Sequence, residues 1–196
     1  MDKRELTALL ESRRTYRKFD ESKKIGDEVV KNMKYAAQLS SSAMNRQPLK
    51  YIYVRDSETV NSIFDITSWG GALPNGQGRP KTGERPTMFV AILSVKELQT
   101  RFTEFDAGLA ASNLTLSAWS HGVGSCILGS VNVPKLCEIL NVTDDCEVVT
   151  VIGFGYPTHD SRVVDAEVGD SLKYSLDEDG NYVVPKRKID DTTLDV

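Results

Sequence analysis

Apolar positions in this chain recur at two alternating periods, and the alternation marks out its elements. Residues 5–12 place Leu6, Leu9 and Leu10 on one face of a 3.6-residue repeat, which predicts a short helix. A second helix is expected from Asp27, read as its N-cap, to about Leu39, with Val30, Met33 and Ala37 at helical spacing. Leu49 to Val54 is rich in Tyr, Ile and Val and reads as a strand. Ser57 is read as the cap of a third helix through Val60, Ile63 and Phe64. Met88–Leu93 is a continuous apolar run, expected to be a strand buried on both faces, and Val148–Phe154 reads as another buried strand. Between them, a helix from about Thr103 to Ser120 carries no charge after Asp106 and has apolar side chains all around its axis. Such a helix should be buried on every side, at the domain centre or in a dimer interface. Its small residues Ala107, Gly108, Ala110, Ala111 and Ser112 would let a second helix approach closely, which favours the interface.

Glycine and proline punctuate the rest. Gly122–Gly129 ends the long helix and begins an extended segment, and Val133–Leu140 reads as a short helix with Pro134 in its first turn. Residues 172–184 flank Asp179-Gly180, a hairpin signal, and Lys186-Arg187-Lys188 follows. Residues 69–86 hold Gly70, Gly71, Gly76, Gly78 and Gly83 with Pro74, Pro80 and Pro86. A loop this long is either a lid or binding loop or a surface excursion without a role. The order helix, strand, helix, loop, strand, helix, strand gives an α+β or α/β sandwich. No G-x-G-x-x-G follows the first strand, and Gly122 and Gly124 lack the third glycine, so a Rossmann dinucleotide site is disfavoured.

Composition narrows the class. A chain of 196 residues with 40% apolar and 27% charged residues is expected to form one soluble domain over residues 1–196. The net charge of −4 argues against a general nucleic-acid binder. No apolar run approaches the ~20 residues that span a bilayer, and no signal-type segment follows Met1-Asp2-Lys3-Arg4-Glu5, so a cytoplasmic protein with no membrane partner is expected. Cys126, Cys137 and Cys146 form no C-x-x-C pair, which suits a reducing compartment. With only His121 and His159 beside them, no metal site is expected, and Cys126 reads as a small buried residue.

The chemistry concentrates in two segments, Arg13-Arg14-Thr15-Tyr16-Arg17 and Ser41-Ser42-Ala43-Met44-Asn45-Arg46-Gln47-Pro48. The first offers guanidinium forks for a phosphate, the second neutral donors for ring heteroatoms, the combination a phosphorylated heterocycle needs. Read alone, the arginines could equally be a solvated helix end, Arg17 a surface partner of Asp20 or Glu21, and Ser41, Ser42 and Asn45 plain turn chemistry.

Together with Asp106-Ala-Gly-Leu-Ala-Ala-x-Asn113-Leu, leading to Gly122-Val-Gly-Ser-Cys-Ile-Leu-Gly129, and Ile152-Gly-Phe-Gly-Tyr-Pro157, these segments resemble the nitroreductase family of FMN-dependent oxidoreductases. Thr15 stands where that family usually has serine, Ser41 where it has proline and Leu49 where it has tryptophan; residues 69–86 match none of its motifs. The resemblance implies an α+β fold: a central mixed, mainly antiparallel sheet flanked by helices in a three-layer sandwich, dimeric, with a C-terminal extension from about residue 160. It implies FMN as cofactor, NADH or NADPH as electron donor, and nitroaromatics, quinones or similar electron-poor acceptors in a ping-pong cycle. Other flavin chemistry, such as reductive dehalogenation or flavin fragmentation, and flavin binding without turnover are the alternatives.

The resemblance also assigns roles. Arg13 would hold the phosphate, with Arg14 beside it and Thr15 in the same segment. Arg17 would lie at the pyrimidine edge of the isoalloxazine, where a cation stabilises charge developing at N1–C2=O. Ser41, Ser42, Asn45 and Gln47 would reach the flavin from the other subunit. Ile127, Leu128 and Gly129 would offer backbone N–H groups to flavin N5 and O4. A C-terminal base, Lys186 or Arg187 rather than Arg162, would complete the phosphate site. Neither His121 nor His159 falls in a motif, and no side chain reads as an obligatory proton shuttle.

Overall fold

A computed structural model describes residues 3–195; Met1, Asp2 and Val196, the ends of the expected domain, lie outside the described residues. The apolar segments form an antiparallel sheet of β1 (Leu49–Val54), β2 (Met88–Val95), β3 (Gly124–Leu128) and β4 (Cys146–Gly155), in the order β1-β2-β4-β3. The two apolar segments Met88–Leu93 and Val148–Phe154 fall on the two central strands, which are covered on both faces and so carry mostly apolar side chains. Alternation then sorts them. Phe89, Ala91 and Leu93 join one core cluster, and Met88, Val90 and Ile92 the other.

Helices cover both clusters. On one face lie α2 (Asp27–Gln38) and α4 (Thr103–Trp119), through Val30, Met33, Ala107, Ala111 and Leu114. On the other lie α3 (Ser57–Asp65) and α5 (Val133–Leu140), through Val60, Ile63, Phe64 and Leu136. With α1 (Lys3–Ser12) packed near α4, the result is the expected α+β sandwich of three layers. Within the sheet every pairing is antiparallel.

Two local expectations are corrected. Gly26, not Asp27, holds the cap position of α2; Asp27 begins the helix and its carboxylate pairs with Arg55 at 2.5 Å. Asp56, not Ser57, caps α3, its Oδ2 accepting from Thr59 N at 2.9 Å. A carboxylate answers both the free N–H groups and the positive end of the helix dipole, which a hydroxyl does not. Asp56→Ala is therefore expected to cost about 1 kcal/mol, read as a lower urea midpoint at unchanged slope. One stripe of α4 is left uncovered by the described residues. Ala107, Ala110, Leu114 and Ala118 are buried, but Phe105 is 71% and Leu109 50% exposed, because no element of the same chain reaches that stripe.

Residues 69–86 are packed rather than loose. Trp69 is buried and donates to Thr67 Oγ1 at 2.8 Å. Arg79 donates to the carbonyls of Thr67 and Phe64 at 2.6 and 3.2 Å, closing the end of α3. Gly70, at φ +60°, crosses Gly78 so closely that a Cβ there would lie 2.4 Å from Gly78 Cα.

Beyond Pro157 a second sheet forms from β5 (Ser161–Ala166), β6 (Ser175–Leu176) and β7 (Tyr182–Arg187), ordered β5-β7-β6. β6 and β7 are the expected hairpin around Asp179-Gly180, whereas β5 runs parallel to β7. β5 has no sequence signal, since half of its residues are exposed and no apolar alternation marks it. This sheet brings β7 to the segment that follows α1.

Candidate functional site

The arginine segment leaves α1 and runs along the sheet edge. Arg14 donates to Leu10 O at 2.7 Å, satisfying the helix end. Thr15 then bridges Ser125 of β3 in parallel register, with Tyr16 N donating to Ser125 O at 2.9 Å. Farther on, Phe19 N donates to Glu84 O at 2.9 Å and Asp20 N to Tyr156 O at 2.8 Å. These bonds fix the direction in which Arg13 and Arg17 project.

They project into a cavity of about 160 Å³ lined by Arg13, Arg14, Thr15, Arg17, Tyr174, Val184 and Lys186. Strand alternation decides which basic residue of the tail takes part: Tyr182, Val184 and Lys186 share one face of β7, and Arg187 lies on the other. Arg162 points elsewhere, 3.9 Å from Asp177. No carboxylate lines the cavity.

The electrostatics ask for an anion. Nε of Arg13, Arg14 and Arg17 is buried in each case without a hydrogen-bond partner. Burial first, and Arg14 second, pushes the Arg13 guanidinium below its ordinary pKa. Half-buried cations that repel one another are stabilised when an acceptor answers them. A phosphate fits this donor set in charge and in geometry. The cavity is too small to enclose a tricyclic ring as well, so it suits the phosphate end of a cofactor such as FMN.

Arg17 is held from three sides. Its guanidinium carbon lies 4.5 Å from the Tyr174 ring centre and 5.0 Å from that of Tyr182. Its backbone N–H donates to His159 Nε2 at 3.0 Å. That bond makes Nε2 the acceptor, so the ring proton sits on Nδ1 and is donated to Asp160 O, 2.9 Å away. The His159 ring lies 4.8 Å from Tyr182 and 5.4 Å from Tyr16. Burial above all holds His159 below its ordinary pKa, against the opposing hydrogen bond to Asp160 and with smaller help from Lys18 and Arg17.

The sign of the linkage follows. Above about pH 6.5 His159 is neutral in both the folded and unfolded chain. Below it, the unfolded chain takes up a proton that the folded chain resists, so stability falls until the depressed folded value is passed. Urea midpoints of the wild type are expected to drop between pH 7 and pH 5 by more than those of His159→Gln, whose amide oxygen can accept from Arg17 without titrating. Nearby Cys126 is 3% exposed and its thiol is pushed up to about 11, mainly by burial. It is inert at neutral pH.

The second segment forms a tight loop before β1. Met44, Asn45 and Gln47 adopt φ of 53°, 51° and 49°, left-handed values that cost each of them roughly 1–2 kcal/mol. The loop is held from inside and out. Ser42 Oγ accepts from Gln47 N at 3.0 Å, and Gln47 Nε2 lies 3.2 Å from Asn45 Oδ1. From α4, Asp106 accepts from Ala43 N at 3.0 Å and Asn113 donates to Ser40 Oγ at 2.9 Å. Ser41, Ser42 and Gln47 line a cavity of about 90 Å³ with Pro48 and Tyr51.

One chain does not bring the two segments together. The loop precedes β1 at one edge of the sheet, and Arg13–Arg17 lies beyond β3 at the other, four strand spacings or ~19 Å away. Ile127, Leu128 and Gly129 continue along the β3 edge past Ser125; Ile127 is 51% exposed and Leu128 buried. Tyr174, Tyr182 and His159 escaped the sequence reading. Tyr182 shares the period of Val184 and Lys186 and could have been found from it, while Tyr174 and His159 stand in no motif.

Comparison with known proteins gives a consistent answer. The family model described as Nitroreductase family matches residues 10–156. A protein of Archaeoglobus fulgidus, provisionally named NADH dehydrogenase/NAD(P)H nitroreductase, is 28% identical over 174 residues, covering 83% of this chain and 91% of that one. A provisionally assigned nitroreductase from Desulfovibrio desulfuricans, solved in complex with FMN, superposes with a TM-score of 0.69 at 18% identity, covering 97% of this chain and 96% of that one. An FMN-dependent nitroreductase from Clostridium difficile superposes with a TM-score of 0.66 at 22% identity, over 80% of this chain and 90% of that one.

Proposed function

The chain belongs to the nitroreductase family, and from that premise we propose that it is an FMN-dependent oxidoreductase. It would take hydride from NADH or NADPH and reduce nitroaromatics, quinones or similar electron-poor compounds in a ping-pong cycle. The observation that carries this reading is the convergence of Arg13, Arg14, Arg17 and Lys186 on one cavity, with buried guanidinium nitrogens that lack partners.

FMN, when bound, supplies the two-electron chemistry. The residues do the rest. Arg13 and Lys186 hold the phosphate, with Arg14 and Thr15 beside them. Arg17 places a fixed cation where negative charge develops during reduction, stabilising it without reorganisation. Ile127, Leu128 and Gly129 border the ring with main-chain groups. Ser41, Ser42, Asn45 and Gln47 reach the flavin from a second copy of the chain.

That last assignment makes the protein a homodimer. The exposed apolar stripe of Phe105 and Leu109 on α4 and the separation of the two segments within one chain both support it. We also read residues 1–196 as one FMN-binding domain with a C-terminal extension from about residue 160. Three unpaired cysteines favour a cytoplasmic setting, and among the described residues no helix is long and apolar enough to cross a membrane.

Initial rates measured against NADH or NADPH at several fixed quinone or nitroaromatic concentrations test the cycle. Parallel double-reciprocal lines are expected. Intersecting lines would exclude ping-pong transfer, and bound FMN with no turnover would reduce the protein to a flavin-binding module.

A further inference from the structure

We propose that Tyr174, with Tyr182, is a positioning residue that clamps the Arg17 guanidinium in the cofactor site and couples it to residues 69–86. The inference rests on the FMN reading above and extends it to a part of the chain that lies beyond the family match at residues 10–156.

The argument begins with Arg17. A long side chain with about 2 kcal/mol of rotamer entropy does not hold one geometry unaided. Its backbone is pinned by His159, but no hydrogen bond reaches its buried Nε. What holds the guanidinium plane is a pair of aromatic faces, Tyr174 at 4.5 Å and Tyr182 at 5.0 Å, within the range over which a ring quadrupole attracts a cation. The two rings support one another, their centres 5.9 Å apart. Tyr182 lies on β7 and Tyr174 immediately precedes β6, so the C-terminal sheet and the segment leading into it build the wall against which Arg17 rests.

Tyr174 has a second attachment. Its hydroxyl accepts from Ala72 N at 3.3 Å. One half-buried side chain thus touches Arg17 with its face and the glycine-rich loop with its edge. A cation fixed before charge arrives stabilises that charge more than one that must first be oriented. The ring of Tyr174 should therefore favour reduced over oxidised flavin, while its hydroxyl should order the loop.

The test is the midpoint potential of the FMN-loaded dimer, set against a redox dye, together with the dissociation constant of oxidised FMN. Tyr174→Leu is expected to lower the preference for reduced flavin about tenfold, which is ~30 mV for a two-electron couple. Tyr174→Phe keeps the ring and should match the wild-type potential, but should raise hydrogen exchange in residues 70–80. Tyr174→Trp, whose larger face binds cations better, should raise the potential, and it decides the matter if the leucine variant does not fold. Equal potentials for wild type and Leu or Trp variants would overturn the clamp, as would a Phe variant as low as Leu. A wild-type protein that takes up no FMN would instead defeat the flavin reading on which the clamp depends.

Discussion

Arg13→Ala is expected to weaken FMN binding about a hundredfold while leaving riboflavin affinity unchanged within about twofold. The guanidinium faces the cavity with its Nε buried and unpartnered, and its pKa is already depressed by burial and by Arg14. A bidentate, charge-assisted pair with a phosphate is worth about 3 kcal/mol, and each 1.4 kcal/mol is a factor of ten. Riboflavin lacks the phosphate and should not register the change. Arg13→Lys should recover only part of the affinity, because an ammonium is a point charge without a fork. Removal of a cation from a repelling group should leave the flavin-free variant at least as stable as the wild type. Fluorescence titration of the flavin-free protein measures all of this. Equal losses for FMN and riboflavin would contradict the phosphate assignment.

Phe19→Ala is expected to cost about 3–5 kcal/mol of stability, the range for truncating a large buried aromatic side chain. Phe19 is fully buried and packs so closely on Gly155 that a Cβ there would lie 2.7 Å from its own Cβ. It also fastens the arginine segment to the rest of the fold, through a bridge to Pro157 and the bond from its N–H to Glu84 O. For a chain of this length the expected fall in melting temperature is on the order of 10 °C. FMN binding should weaken with it, since Arg17 lies on the loosened segment. Thermal unfolding of the flavin-free protein reads the first effect. A loss under about 1 kcal/mol would mean that Phe19 does not anchor the segment.

The sheet was legible in the sequence because burial on both faces leaves an apolar run, unbroken at Met88–Leu93 and interrupted only by Thr150 and Gly153 at Val148–Phe154. The caps were not, because Asp27 and Ser57 satisfy the same local pattern as their neighbours Gly26 and Asp56, and only the entry angle of the chain separates them. For the α4 helix the sequence pattern left two readings open. Apolar residues all round specify burial but not by what, and its outer stripe waits on something other than its own chain. At the candidate site, the arginines and the Ser41–Gln47 loop stood out through the family resemblance, since alone they read equally as a helix end and turn chemistry. The aromatic wall did not, since Tyr174 and His159 acquire meaning only when the β7 sheet folds back over Arg17. Periodicity separates Lys186 from Arg187 once the strand is known, but a basic run alone does not disclose its register.

The measurement that bears most directly on the central reading is an anaerobic absorbance spectrum of the purified protein, recorded before and after addition of NADH and then NADPH. Oxidised flavin bands that bleach with one or both nucleotides, and return with a quinone or nitroaromatic, are the predicted result. Protein that stays colourless after reconstitution with FMN would contradict it, and flavin bands that neither nucleotide bleaches would leave the cofactor site but remove the proposed electron donor.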